Sequence, residues 1–323
     1  MLLVELDGRS PSFNLALEDA LLSERLAQSG WFLLWQNDPS IIIGRHQVAE
    51  DEANLELARD LDIPYFRRVS GGGAVYHDRG VLNYSFIERP SIFPGFRHWL
   101  EPVRRSLRRL GVDAEIGGRN DLEVNGIKIG GAAIARRGDA ILCHGSLLFD
   151  ADLDRLAALL SPSKIKLKKR GIASVSSRVD NIKNICPDLD IGDLKKALAS
   201  ECSDSIGALP RSAITKAKIL ESAKYLTEAW NREKRVERRE TRDASFAWGE
   251  VEWSWNWKNG KIADSVFRGD FFADREISEL EKSLNGLSRE DLVAFSGSSV
   301  PCRFFHGASP DEAATFFREE AAK

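Results

Sequence analysis

Three stretches carry residue types and spacings that could do chemistry. In Arg67-Arg68-Val69-Ser70-Gly71-Gly72-Gly73-Ala74-Val75-Tyr76-His77-Asp78, three consecutive glycines let successive backbone N–H groups point into one concavity. Such a nest binds anions and lets a ligand approach bare backbone. The two arginines before it supply permanent charge and paired donors for phosphate or carboxylate. No Lys-Ser/Thr follows the glycines, as a P-loop needs, and GxGxxG is absent. A flexible hairpin loop with solvated arginines is the competing reading.

The second stretch runs from Gly118 through Asn120, Asp121 and Lys128 to Ala132. Asn125-Gly126 between alternating apolar residues predicts a two-residue hairpin turn. That turn sets Val124 opposite Ile127, Glu123 opposite Lys128 and Leu122 opposite Ile129. Alternation then gives an apolar face of Leu122, Val124, Ile127 and Ile129, and a polar face of Asp121, Glu123 and Lys128. An acid positioned for Mg²⁺ beside a lysine that reaches a phosphate suits adenylate chemistry. The alternative is a surface Glu123–Lys128 pair, contributing roughly a few tenths of a kcal/mol.

The third stretch, Lys164–Val179, places four lysines and Arg170 in its first seven positions. It reads as a solvated face, a nucleic-acid contact or a basic segment closing over a triphosphate. Missing aromatic residues count against single-strand binding. His46, His77, His98, His144 and His306 are too dispersed for a metal site; only His77 and His144 fall in chemical-looking stretches.

These residues need elements to hold them. LLVEL reads as a short strand, followed by an amphipathic helix over Ser12–Gln28 with Ser12 as N-cap. Trp31–Gln36 and Ser40–His46 are strand-like across an Asn-Asp-Pro turn. A helix is expected over Glu50–Leu61, strands on both sides of the glycines, a helix over Gly95–Leu110, and a strand in ILCHGSLLFD. Helical patterns follow at Asp154–Leu160, Ile191–Glu201 and Ser212–Trp230. Asn231–Ser245, charged and poor in large apolar side chains, reads as a linker. Beyond it, GEVEWSWNW and KIADSVFRGDFF flank KNG, a hairpin signal. Helical patterns at Ile277–Asn285 and Pro310–Ala322 complete a small module, so the domains expected are 1–240 and 246–323.

Composition sets the frame. The chain has 323 residues, 43% hydrophobic and 29% charged, with a formal charge of −3. That balance gives no pull toward nucleic acid or a membrane surface. Four scattered cysteines suggest free thiols in a reducing compartment. No signal-like N-terminus and no apolar run near the roughly 18 residues of a bilayer span are present, so a cytoplasmic protein is expected.

RRVSGGGAVYHDRGVLNYS, GRNDL, GIKIGGAA, HGSLLFD and KRGIASVSSRVDNI, in this order, resemble the lipoate-protein ligase A family of the biotin/lipoate protein ligase superfamily. IIIGRHQ and GDFF fit the same family, so the resemblance covers nearly the whole chain. It implies an α+β fold: a biotin/lipoate ligase-type catalytic domain with a mixed, mainly antiparallel sheet and helices, plus a small C-terminal α/β accessory domain. It implies ATP-dependent activation of lipoate to lipoyl-AMP, with Mg²⁺. The lipoyl group then passes to a lysine of lipoyl domains in 2-oxoacid dehydrogenase E2 subunits and glycine cleavage H protein.

By the same resemblance Lys128 is catalytic, touching the acyl carboxylate and the α-phosphate. Arg68, Gly73, Ala74, Val75, Tyr76, Asn120, Asp121 and Lys128 bind ATP and the adenylate, and Asp121 also meets Mg²⁺. Lys128, Arg68, Gly72 and His77 bind lipoate. Trp35 and Ile43, as apolar residues of the first strands, are read as walls for its dithiolane tail. Lys164–Val179 matches a loop that folds over the adenylate. One departure is Gly130, where the family usually has serine. The rivals are an octanoyltransferase of the same fold, which needs a nucleophilic cysteine that the GRND segment lacks, and a non-catalytic adenylate- or RNA-binding protein.

Overall fold

Alternating and continuous apolar runs build most of one large unit around a mixed sheet. The computed structural model describes residues 1–23, 30–160, 179–232 and 240–321. Contacts divide the chain into Met1–Ile43, Ala49–Val69 and Ala74–Arg232 as one unit, and Gly44–Val48, Ser70–Gly73 and Glu233–Lys323 as another.

The first unit's strands are β1 (Leu2–Glu5), β2 (Trp31–Trp35), β3 (Ser40–Ile43), β4 (Tyr65–Arg67), β5 (Val75–His77), β6 (Val81–Glu88), β7 (Glu115–Gly117), β8 (Asp121–Val124), β9 (Ile127–Arg137), β10 (Ala140–Leu148) and β11 (Ser205–Ile206). Eight form one sheet in the order β11-β1-β2-β6-β10-β9-β8-β7, parallel at β11-β1-β2 and antiparallel beyond. Strands β4-β3-β5 make a second, three-stranded sheet.

Helix α1 (Pro11–Ser23) lies on one face of the large sheet, packing Leu15, Leu17 and Leu21 against Leu33, Ile87 and Leu142. Residues 24–28 of the expected helix lie outside the described residues. The helix is not amphipathic as expected: Ser12, Asn14, Glu18 and Asp19 are buried as well. Buried polar groups persist only when paired, and these are. Asn14 donates to Asn37 Oδ1 at 3.0 Å. Asp19 meets Arg137 at 2.6 Å and Lys224 at 2.7 Å.

Glu50–Leu61 forms two short helices, α2 (Ala49–Glu52) and α3 (Leu55–Asp60), because Asn54 caps the second by accepting from the Leu57 amide. Helices α4 (Phe96–Arg109), α5 (Leu153–Leu159), α6 (Ile182–Ile185) and α7 (Ile191–Cys202) follow. The expected 212–230 helix is broken into α8 (Arg211–Leu220), a π turn over Glu221–Tyr225, and α9 (Glu228–Asn231). The π turn brings Lys224 and Tyr225 onto Asp19, the kind of local re-aiming such turns provide.

The second unit holds an antiparallel sheet of β12 (Glu240–Phe246), β13 (Gly249–Lys258) and β14 (Lys261–Gly269). Asn259 and Gly260, both at positive φ, make the turn read from KNG. Strand β12 begins inside the stretch expected to be linker, while residues 233–239 lie outside the described residues. Helices α10 (Ile277–Leu284), α11 (Arg289–Ser296) and α12 (Pro310–Ala321) cover the sheet, α11 having been missed by the helical patterns. Its Ser288 and Asp291 form a capping box. The core is aromatic, with Trp253 stacked on Trp255 and both packed among Phe267, Phe271 and Phe317.

Candidate active site

Chain geometry places Lys128. Asn125 and Gly126 adopt φ of 53° and 77°, the left-handed backbone that an Asn-Gly hairpin turn requires. Glu123 pairs with Lys128 as expected, but Leu122 lies opposite Gly130 rather than Ile129, because a β-bulge intervenes. In a regular strand Lys128 and Gly131, three residues apart, would point to opposite faces. The extra residue puts both on one face. A Cβ built on Gly131 would lie 3.0 Å from Lys128 Nζ and 3.1 Å from Asp121 Oδ1. Those two atoms are themselves 2.8 Å apart. Ile127, expected on the apolar face, is exposed, whereas Leu122, Val124 and Ile129 are buried.

The register extends this position into a row. Asp121 pairs with Gly131, Gly131 with Ser146, Ser146 with Asn83, and Asn83 with Trp35. Directly opposed residues share a face. Two residues further along, the paired Ser85 and His144 lie on that same face, beneath α1. Glu18 accepts from Ser85 Oγ at 2.6 Å and meets His144 Nδ1 at 2.9 Å, while Trp35 Nε1 donates to Ser85 Oγ at 2.7 Å. All four residues are buried. Sequence reasoning overlooked Glu18 and Ser85 and gave His144 no role. An acid inside an otherwise apolar helical run was the available signal.

Arg68 and His77 join this cluster. Arg68 is buried and donates from Nη1 to the Ile42 carbonyl at 3.2 Å. Burial brings its pKa down to about 10 against the opposing pull of Glu18, so it stays charged at neutral pH. His77 faces Asn37 Nδ2 through Nδ1 at 3.1 Å and stands edge-on to Trp35. Burial, then Arg68 and His144, push its pKa down to about 3. His77 is therefore a neutral imidazole whose Nδ1 accepts from the amide, leaving the proton on Nε2.

The other expected residues are distributed differently. Tyr76 is buried among Ile41 and Ile43, with Ala74 packed against that cluster and Val75 against the core beneath α1. Ile43 thus lies in a different core from Trp35. The Asn120 side-chain amide donates to the Ala132 carbonyl, and its own backbone carbonyl accepts from Ala132 at 2.9 Å. Gly72 and Gly73 belong to the second unit. There a Cβ on Gly71 would lie 2.1 Å from the Phe271 carbonyl oxygen, and one on Gly44 2.0 Å from that of Gly72. Those glycines permit backbone-to-backbone packing; Gly73 faces open space. The same unit stacks His46 on Phe271 at 4.8 Å, joining the GRHQ and GDFF segments.

At Gly130 a Cβ would lie 2.6 Å from the Ser146 carbonyl oxygen, so this strand pairing leaves no room for a serine. Residues 161–178, most of the basic stretch, lie outside the described residues. Val179 forms a parallel bridge with Lys128, and the Asp180 amide donates to the Lys128 carbonyl at 3.0 Å. Among the described residues no group of three or more His, Cys, Asp or Glu could hold a metal ion. Cys143, adjacent to His144 in the strand, points to the opposite face. Complete burial raises its thiol pKa well above the ordinary range.

A lysine and a carboxylate over a floor of small residues, beside a buried cluster of arginine, histidines and glutamate, describe a site built for positioning and charge neutralisation. Comparison with known proteins agrees. Residues 10–203 match the lipoyl protein ligase A/B catalytic domain, and residues 237–292 match the bacterial lipoate protein ligase C-terminus. Lipoate–protein ligase 1 of Staphylococcus aureus is 36% identical over 283 residues, 85% of this chain and 86% of that one. The lipoate complex of LipL1 from P. falciparum shares the fold at a TM-score of 0.82, with 22% identity, covering 100% of this chain and 99% of that one. A bi-partite lipoate protein ligase from Thermoplasma acidophilum, solved with its E2 lipoyl domain, is 33% identical at a TM-score of 0.64, covering 73% and 98%. Lipoate-protein ligase A bound with ATP is 32% identical at a TM-score of 0.62, covering 71% and 96%. This chain belongs to the lipoate–protein ligase family and is a ligase. No helix among the described residues is long and apolar enough to cross a membrane.

Proposed function

We propose that the protein activates lipoate with ATP to lipoyl-AMP and passes the lipoyl group to a lysine of lipoyl domains, in 2-oxoacid dehydrogenase E2 subunits or glycine cleavage H protein. The observation that carries the reading is Lys128 held by the bulged hairpin over Gly131, its ammonium 2.8 Å from Asp121. Relatives solved with lipoic acid, with ATP and with an E2 lipoyl domain support the substrates.

In this reading the carboxylate attacks the α-phosphate and pyrophosphate leaves, with Lys128 neutralising charge that grows on the phosphate. Arg68, Ala74, Val75, Tyr76, Asn120 and Asp121, with Gly72 and Gly73, serve the nucleotide and the acyl group, and neutral His77 lies at the lipoate. Asp121 is a single carboxylate with one oxygen engaged by Lys128, which fits a Mg²⁺ held mainly by nucleotide phosphates. That ion would supply charge for the departing pyrophosphate. The first unit would form the catalytic domain and the second, strand β12 included, the accessory one, in a cytoplasmic protein.

Cys143, on the far face, disfavours acyl transfer through a thioester. ATP–pyrophosphate exchange with lipoate, octanoate and biotin in parallel, followed by transfer to an isolated lipoyl domain, tests the reading. Exchange with lipoate and modification of the domain lysine are expected. Exchange with none of the acids refutes it.

A further inference from the structure

The row from Asp121 to Trp35 contains a buried amide so far without a role. Asn83 is 1% exposed, and its Nδ2 has no hydrogen-bond partner among the described residues. Buried amide donors are rarely left so, because folding strips their water and returns nothing. Asn83 shares its face with Ser85, which bonds Glu18 of α1, so the amide projects toward the Lys128 side of the sheet.

Its neighbours explain why no group among the described residues reaches it. Ser146 is small and Gly131 has no side chain, so the row sinks between Asn83 and the Lys128–Asp121 pair. Opposed strands have Cα atoms about 4.5–5.5 Å apart, which puts Asn83 about 10 Å from Gly131. Across that span the Asn83 amide at one end and the Lys128 ammonium at the other could both meet a carboxyl group joined to a phosphate.

We propose that Asn83 is a substrate-positioning residue whose Nδ2 donates to one oxygen of the acid's carboxyl group, and to the acyl carbonyl after activation. This rests on the ligase reading above. A neutral amide holds that oxygen without forming an ion pair, so the second oxygen keeps its electron density for attack. The attacking oxygen forms the bond to the α-phosphorus, the bond to the bridging oxygen breaks, and pyrophosphate carries off the electron pair. Asn83 transfers no proton.

The test is Asn83→Leu in the full chain. Lipoate and octanoate Kd values, the ATP KM in pyrophosphate exchange, and the Tm without ligand are measured. Both acids are expected to bind about ten- to hundredfold more weakly, by equal factors, since octanoate shares only the carboxyl group and chain. The ATP KM stays unchanged. The Tm is unchanged or higher, because the substitution removes a donor that was buried unpaired. Asn83→Asp, which offers only acceptors to the acid's carboxylate, binds both acids at least as weakly. Unchanged acid Kd values in Asn83→Leu overturn the assignment, as does a loss for lipoate alone. A lowered Tm with acid and ATP binding lost together shows a structural role instead. Wild-type protein that binds neither acid overturns the ligase reading along with it, and is thereby distinguished from failure of Asn83 alone.

Discussion

Replacing Gly131 with alanine adds one methyl group at the point where Lys128 and Asp121 meet. Gly131 does not need a left-handed backbone, so alanine is conformationally allowed there. The new Cβ would lie 3.0 Å from Lys128 Nζ and 3.1 Å from both Asp121 Oδ1 and Lys128 Cε. Ordinary carbon contacts sit at about 3.5–4.0 Å, so the lysine tip must retreat by about 0.5–1 Å. The groups that give way are ends of flexible side chains, and the half-exposed ion pair they form contributes under about 1 kcal/mol. Folding stability should therefore change by less than about 1 kcal/mol, with some compensation from a stiffer unfolded chain. Catalysis is less forgiving, since a misplacement of about 1 Å can cost about a hundredfold. Lipoate-dependent ATP–pyrophosphate exchange should lose about ten- to hundredfold in kcat/KM, or about 1.4–2.7 kcal/mol. Urea melts on the same preparation separate the two effects. A variant of normal stability that exchanges pyrophosphate within twofold of wild type refutes the placement of Lys128 as the charge-neutralising group.

Three further outcomes follow from the same geometry. Lys128→Ala should lose about 3–4 kcal/mol of transition-state stabilisation in the exchange assay while its circular dichroism and melting stay normal; near-wild-type exchange removes Lys128 from the mechanism. Cys143→Ser should still transfer lipoate to a lipoyl domain, because this thiol is buried on the face away from Lys128; detection of an acyl-cysteine by mass spectrometry would contradict that. His77 has a folded pKa of about 3 against an ordinary 6.5, so between those values the unfolded chain binds a proton that the folded one excludes. That stability is complete above pH 6.5 and falls by about 1.4 kcal/mol per pH unit as the pH drops toward 3. Urea unfolding at pH 6.5 and 5 should therefore show a steeper decline for wild type than for His77→Gln, and equal slopes would mean that the histidine is not held neutral.

How much of this was legible in the sequence depended on how local each determinant is. The hairpin at Asn125-Gly126 and the turn at Asn259-Gly260 are encoded by adjacent residues with unusual backbone preferences, and both form where expected. The bulge beside Leu122 leaves no such mark, since it arises from how β9 meets β8. The Glu18–Ser85–His144 cluster joins residues 67 and 126 positions apart, each unremarkable in its own stretch, so only the folded sheet reveals it. The same holds for Asp19, whose partners sit on β9 and the π turn. Residues 240–245 were misread for another reason. A polar strand whose side chains alternate between exposed and half-buried offers little apolar pattern to detect.

The bulge also changes what kind of alteration the site can absorb. Lys128 owes its direction to a count: one more residue on β9 than on the facing stretch of β8. Exchanging Ile127 or Glu123 for other residues keeps the count, and the ammonium stays on its face. Inserting a single residue between Leu122 and Glu123 on β8 would match the counts, regularise the ladder and leave the lysine on the face opposite Asp121. Substitution and insertion are therefore unequal here. For a lineage drifting in sequence, or for a designer grafting this hairpin onto another sheet, spacing is the property to preserve, and a chain with every active-site residue type intact but one position longer in β8 would have its lysine facing away from Asp121.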